Sequence, residues 1–148
     1  MNQTEKLLLQ VWQNAEMGLT STEHLLKKAK DDAVRRELSR QADSYRELMD
    51  RSGNMLADMG VDRKKTPLYQ RAMSSMGIEM EMMTDPTSAN IADMVIQGAT
   101  MGVVELTKAR HAYPDADPDA HAIAGDFISG QQDAIENMKA FLTFATAR

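Results

Sequence analysis

Gln97-Gly98-Ala99-Thr100-Met101-Gly102 repeats the frame of Gln13-Asn14-Ala15-Glu16-Met17-Gly18, with Gln, Ala, Met and Gly at matching places. Each copy sits in a long stretch whose apolar residues recur at steps of three and four, the period of one helix face. Around the first copy the stripe is Leu8, Val11, Trp12, Ala15, Gly18, Leu19, Thr22, Leu25, Leu26 and Ala29, which predicts a helix from about Gln3 to Lys30. Around the second it is Ile91, Ala92, Val95, Ile96, Ala99, Gly102, Val103, Leu106 and Ala109, which predicts a helix from about Thr87 to His111.

Each of these helices is followed by a turn and a further apolar-periodic stretch. Asp31 is placed to cap a second helix that runs to about Met59, where Gly60 stops it. Its inward residues are Val34, Leu38, Ala42, Tyr45, Leu48, Met49, Met55, Leu56 and Met59. After the third helix, Tyr113-Pro114-Asp115-Ala116-Asp117-Pro118 is a turn, with Asp117 as cap and Pro118 as first residue of the last helix. That helix is expected to bury Ala120, Ala124, Phe127, Ile128, Ala134, Ile135, Met138, Phe141 and Leu142, and to reach about residue 146. Connections this tight make antiparallel neighbours. Period-two alternation, the mark of a half-buried strand, is absent.

The reading is one all-α domain of two tandem helical hairpins. Hairpin one covers about 3–60, a crossover 61–86, and hairpin two about 87–146. Thr66-Pro67 opens a shorter helix in the crossover and Thr84-Asp85-Pro86 closes it. A helix of about 18 residues spans about 27 Å, enough to carry the chain from one end of a bundle to the other. Two antiparallel hairpins joined by one long crossover form the ferritin-like arrangement.

Composition narrows the function classes. With 148 residues the chain can bury a substantial core, and 43% hydrophobic against 26% charged residues is a globular balance rather than a disordered one. A net charge of −5 disfavours sequence-independent nucleic-acid binding, which needs a basic surface. The absence of cysteine excludes disulfides, thiolate metal sites and cysteine nucleophiles. No stretch approaches the roughly 20 apolar residues of a membrane span, and the start Met1-Asn2-Gln3-Thr4-Glu5-Lys6 lacks the pattern of a signal peptide. A cytoplasmic location is the expectation.

The repeat places Ala15 and Gly18 on the inward face of the first helix, and Ala99 and Gly102 on that of the third. A mid-helix glycine costs about 1 kcal/mol relative to alanine, so a purpose is expected. The first option is close approach of the two helices where they cross. The other is room for a ligand inside the bundle.

The segments Asn14-Ala15-Glu16-Met17-Gly18 and Ile91 through Gly102 resemble uncharacterised small helical proteins of clostridia and related Firmicutes, within the ferritin-like superfamily. That resemblance covers nearly the whole chain and implies the fold without implying an activity. Dimetal ferritin-like proteins carry a Glu on each of two helices and Glu-x-x-His on the other two. Here Asp43 is followed at three by Arg46, Glu47 by Asp50 and Glu136 by Lys139, so the pattern is missing. Glu16 and Glu23 are read as outward.

The residual metal candidates are Glu47, Glu105 and Asp133, hard oxygen ligands flanking the apolar stripes and suited to iron or another divalent metal. Their alternative is ion pairing, for instance Glu105 with Lys108 or Arg110. His24, His111 and His121 lie near helix ends and read as surface or capping residues. Gln41 and Gln131 fall where the stripes call for apolar residues, with Thr22 and Tyr45 in register; buried amides need partners. They are expected to bond one another, water or backbone and so set the register of the bundle. Met73, Met76, Met80 and Met83 share one face of the crossover helix, suited to packing or to an adaptable interface.

No catalytic set emerges and no cofactor is expected. The leading expectation is a non-catalytic structural or protein-interaction bundle that self-associates, as a homodimer or a higher helical assembly. The alternatives are a degenerate ferritin-like metal protein or oxidoreductase, and a small-ligand binder using the interior near Gly18 and Gly102.

Overall fold

The computed structural model describes residues 1–63 and 86–143. Among them are four long helices: α1 (Gln3–Lys28), α2 (Asp32–Asp58), α3 (Ser88–Ala112) and α4 (Pro118–Lys139). The expected crossover helix, with Met73, Met76, Met80 and Met83, lies outside the described residues.

Local chemistry sets the helix ends. Asn2, Asp31 and Thr87 each accept a backbone N–H of the first turn, from Glu5, Val34 and Asn90 respectively. Asp117 precedes α4 without a side-chain cap bond, and Pro118 alone supplies the start signal there. At the other end of α1, the Arg35 guanidinium donates to the carbonyls of Leu26 at 2.6 Å and Ala29 at 3.0 Å. These are carbonyls that the ending helix leaves without a partner of its own. Gly60, at φ 72°, takes the left-handed conformation that ends hairpin one.

The last helix is shorter than its apolar pattern predicts. It ends at Lys139, and Phe141 and Leu142 donate backward to Met138 and Lys139 in tighter, three-residue turns. This leaves Phe141 packed on the core while Leu142 is 44% exposed, not buried as expected.

The relative directions of the helices follow from ties between them. Glu37, Tyr45 and Arg51 of α2 meet Asn137, Gln131 and Asp126 of α4 in that order, so these two helices are antiparallel. Gln3 and Thr4 accept the backbone N–H groups of Asp115 and Asp117, each at 2.8 Å, which puts the start of α1 beside the start of α4. Leu56 near the end of α2 and Ile91 near the start of α3 belong to different core clusters. The end of α2 and the start of α3 therefore lie at different levels of the bundle.

The core has two apolar clusters, and each draws on all four helices. One holds Leu7, Leu8, Val11 and Trp12 of α1, Leu56 of α2, Leu106 of α3 and Ile123 and Phe127 of α4. The other holds Leu25, Val34, Leu38, Ile91, Ala92 and Met138. In chain order, the small residues Gly18, Ala42, Ala99, Gly102 and Ala134 and the buried polar residues Thr22, Gln41 and Gln131 fall between the two.

Candidate functional site

Of the polar side chains of this middle layer, Gln131 of α4 reaches across to α2. Tyr45 donates its hydroxyl proton toward Gln131 Oε1 at 3.1 Å, and Gln131 Nε2 donates back to the same hydroxyl at 2.9 Å. Both residues are buried. Burial pushes the Tyr45 phenol above its ordinary pKa, against the bond from Gln131 and the charge of Arg40, so it stays neutral near pH 7.

Two helical turns from Tyr45, toward the start of α2, lies a second polar centre. Glu37 Oε1 accepts Arg40 Nε at 2.7 Å and Asn137 Nδ2 at 2.9 Å. Its Oε2 accepts the other arm of Arg40 at 2.8 Å and Gln41 Nε2 at 2.6 Å. Desolvation raises the pKa of this carboxyl. The bonds from Arg40 and Gln41, the Arg40 charge and the bond from Asn137 outweigh it, and the group lies below the ordinary glutamate value. Four donors on one carboxylate hold it ionised and leave it poorly suited to take a proton as a base.

Gln41 and Gln131 are thus buried and partnered, as expected of interior amides, but with different partners. Gln41 bonds Glu37 and Gln131 bonds Tyr45, rather than each other. Thr22 closes onto the Gly18 carbonyl of its own helix at 2.7 Å. The sequence reading passed over Glu37, Arg40 and Asn137. The spacing Glu37-x-x-Arg40-Gln41 carried a signal, since residues three and four apart share a helix face, whereas Asn137 reaches Glu37 only through packing.

An aromatic ring of the same hairpin lies over each repeat glycine. A Cβ on Gly18 would fall on the Tyr45 ring, 2.8 Å from Cε2 and closer still to Cε1 and Cζ. A Cβ on Gly102 would lie 3.2 Å from Phe127 Cε1 and 3.6 Å from Gln131 Cγ. The missing side chains seat residues of the second helix of the same hairpin, Tyr45 on Gly18 and Phe127 on Gly102. Ala15 and Ala99 are buried beside them.

A small crevice lies beside these rings. The crevice lined by Gln41, Tyr45, Phe127, Gly130 and Gln131 measures about 10 Å³, room for about one water. A larger hollow of about 520 Å³, along Asp32, Arg35, Arg36, Ser39, Arg40 and Asp43, lies on the outer face of α2 alone. A hollow on one helix face offers no enclosure.

Glu47, Glu105 and Asp133 are all exposed. Among the described residues no group of three or more His, Asp or Glu side chains is placed to hold a metal ion. Asp133 lies in the field of Arg40, whose charge it helps to stabilise. Glu105 forms no ion pair with Lys108 or Arg110 among the described residues. His121 Nε2 lies 3.0 Å from the Tyr113 carbonyl, a contact across the second turn, while His111 is exposed. Glu16, expected to face outward, is half-buried, and its Oε2 is enclosed without a hydrogen-bond partner.

Among the described residues no helix is long and apolar enough to cross a membrane. No family model matches the chain, and no curated protein matches it in sequence. The fold is similar to the crystal structure of a DUF305 fragment from Deinococcus radiodurans, with a TM-score of 0.74, 16% identity and 95% of each chain covered. Likeness at that identity extends to the fold alone: the chain is an all-α, four-helix bundle.

Proposed function

We propose that this protein is a non-catalytic helical bundle that works through its outer surface, by self-association or by contact with another protein. The observation that carries this reading is the mutual satisfaction of the interior polar groups. Tyr45 and Gln131 bond each other, and Glu37 is saturated by Arg40, Gln41 and Asn137. The crevice beside them has room for about one water. Such an arrangement pins helix register and turns these polar groups toward one another rather than toward a substrate.

The same proposal places the chain among ferritin-like bundles that have lost their dimetal ligands, related to the small helical proteins of clostridia and other Firmicutes that its repeat resembles. It also places the protein in the cytoplasm, a setting that suits a chain without cysteine. Multi-angle light scattering across a concentration series, combined with elemental analysis, tests the proposal. Concentration-dependent association without bound metal is the expected outcome. Stoichiometric iron, manganese or zinc that survives dialysis would sink it in favour of a metalloprotein.

A further inference from the structure

Gly60 turns the chain back along the helix it has just left. Its N–H donates to the Ala57 carbonyl and that of Val61 to the Leu56 carbonyl, each at 3.0 Å, the two bonds of a glycine C-cap. Val61 then packs on the apolar cluster that holds Leu56 and Trp12. Beyond it, the half-buried Arg63 lays its guanidinium over the Trp12 ring, with Cζ 5.2 Å from the ring centroid. The same group lies over Gly53 of α2. A Cβ there would come 2.5 Å from Arg63 Nη1 and 3.3 Å from Trp12 Cδ1 and Nε1. Gly53 and Trp12 are both buried. A glycine inside a helix weakens it, and here the guanidinium takes the room that the missing side chain leaves. Helix α1 thus supplies an aromatic face, α2 a bare stretch of backbone, and one planar cation fills the seat between them.

We propose that Arg63 is a latch that holds residues 60–63 down as a strap across α1 and α2, and so fixes the direction in which the chain leaves hairpin one. Val61 attaches the strap at one point. Arg63 attaches it at a second, which removes rotation about the Gly60 turn. The seat suits a guanidinium in particular. That group stacks flat on an aromatic ring while its edge reaches over the bare backbone of Gly53, whereas a lysine ammonium is a compact, strongly hydrated charge. The latch lies within one copy of the chain, so it stands independently of the self-association reading.

Limited trypsin digestion of the folded full chain, read by mass spectrometry, tests the latch. Acrylamide quenching of Trp12, the single tryptophan, is the second readout. A guanidinium laid on the ring cannot enter the protease's pocket, so at low protease the cleavage after position 63 tracks the fraction of molecules with the latch open. Gly53→Ala pushes the guanidinium off its seat. Arg63→Lys keeps the charge and a cleavable residue but loses the stacking. Relative to a short peptide of the same sequence, each variant is expected to be cleaved after position 63 about tenfold faster than the wild type. Cleavage after Arg46, within α2, is expected to stay at the wild-type rate. Arg63→Ala is expected to open Trp12 to acrylamide. Should Gly53→Ala speed cleavage at Arg46 as much as at position 63, it has loosened the whole fold, and Arg63→Lys decides. An unchanged rate after position 63 in Arg63→Lys overturns the latch. So does a Trp12 in Arg63→Ala that is quenched no more than in the wild type.

Discussion

Gly18 and Gly125 are both interior helix glycines, yet substitution by alanine is expected to act in opposite directions. At Gly125 the new Cβ would meet Arg110 Nη1 at 3.6 Å, an ordinary contact. The variant should therefore gain about 0.5–1 kcal/mol from helix propensity. At Gly18 the Cβ would press into the ring of Tyr45, which is buried and tied to Gln131 and has little freedom to withdraw. Gly18→Ala should lose about 1–3 kcal/mol by overpacking. Urea denaturation midpoints for the two variants check both signs. A stabilised Gly18→Ala would mean that the ring yields and that the glycine is not a seat. Composition and periodicity identified Gly18 and Gly102 as meaningful. They could not name the neighbour, because helix-interior glycine is equally compatible with a facing backbone, a facing ring or an open pocket.

Between elements, the decisive contacts are the polar ties of α2 to α4. Tyr45→Phe leaves the Gln131 amide buried without its partner, at an expected cost of about 1–3 kcal/mol. Replacing both, as Tyr45→Phe with Gln131→Met, should recover most of that loss, since no polar group is then stranded. A double-mutant cycle in denaturant measures the coupling. Equal losses in the single and double variants would show that the pair does not act as a unit.

Glu37 adds a pH dependence to the same seam. Its folded pKa is depressed, so the stability it contributes is fully present above the ordinary glutamate pKa of about 4.3. That stability is lost as pH falls from there through the lower folded value. Thermal midpoints should fall in this acid window for the wild type, and more shallowly for Glu37→Gln. The exposed Arg51–Asp126 pair, at 2.8 Å, should matter less, with Arg51→Ala costing about 1 kcal/mol or below.

At the scale of the molecule, the two apolar clusters each contain residues from all four helices. Neither hairpin therefore owns a core of its own, and the described bundle should unfold as one unit. Trp12, the single tryptophan, sits in one cluster, and Leu38 is fully buried in the other. Leu38→Ala should lower stability by about 2–5 kcal/mol. The loss should register equally in Trp12 fluorescence and in far-ultraviolet circular dichroism. A fluorescence transition left unshifted while the helix signal moves would show that the clusters melt separately.

The amino-acid sequence by itself determined the four long helices, the Asp31 cap, the Pro118 start of α4 and the pairing into two hairpins. Those features depend on interactions within about four residues and on a period that can be counted along the chain. It also marked Gly18, Gly102, Gln41 and Gln131 as positions that break the apolar pattern. Only the tertiary structure decided what meets them. Tyr45 fills the space over Gly18, Gln131 closes onto Tyr45, and Glu37 gathers Arg40, Gln41 and Asn137. The end of α4 at Lys139 belongs to the same group, since the apolar pattern runs on past it. These outcomes depend on which faces of distant helices come within about 3 Å of each other. A helical period gives the direction of a face but not the neighbour set against it.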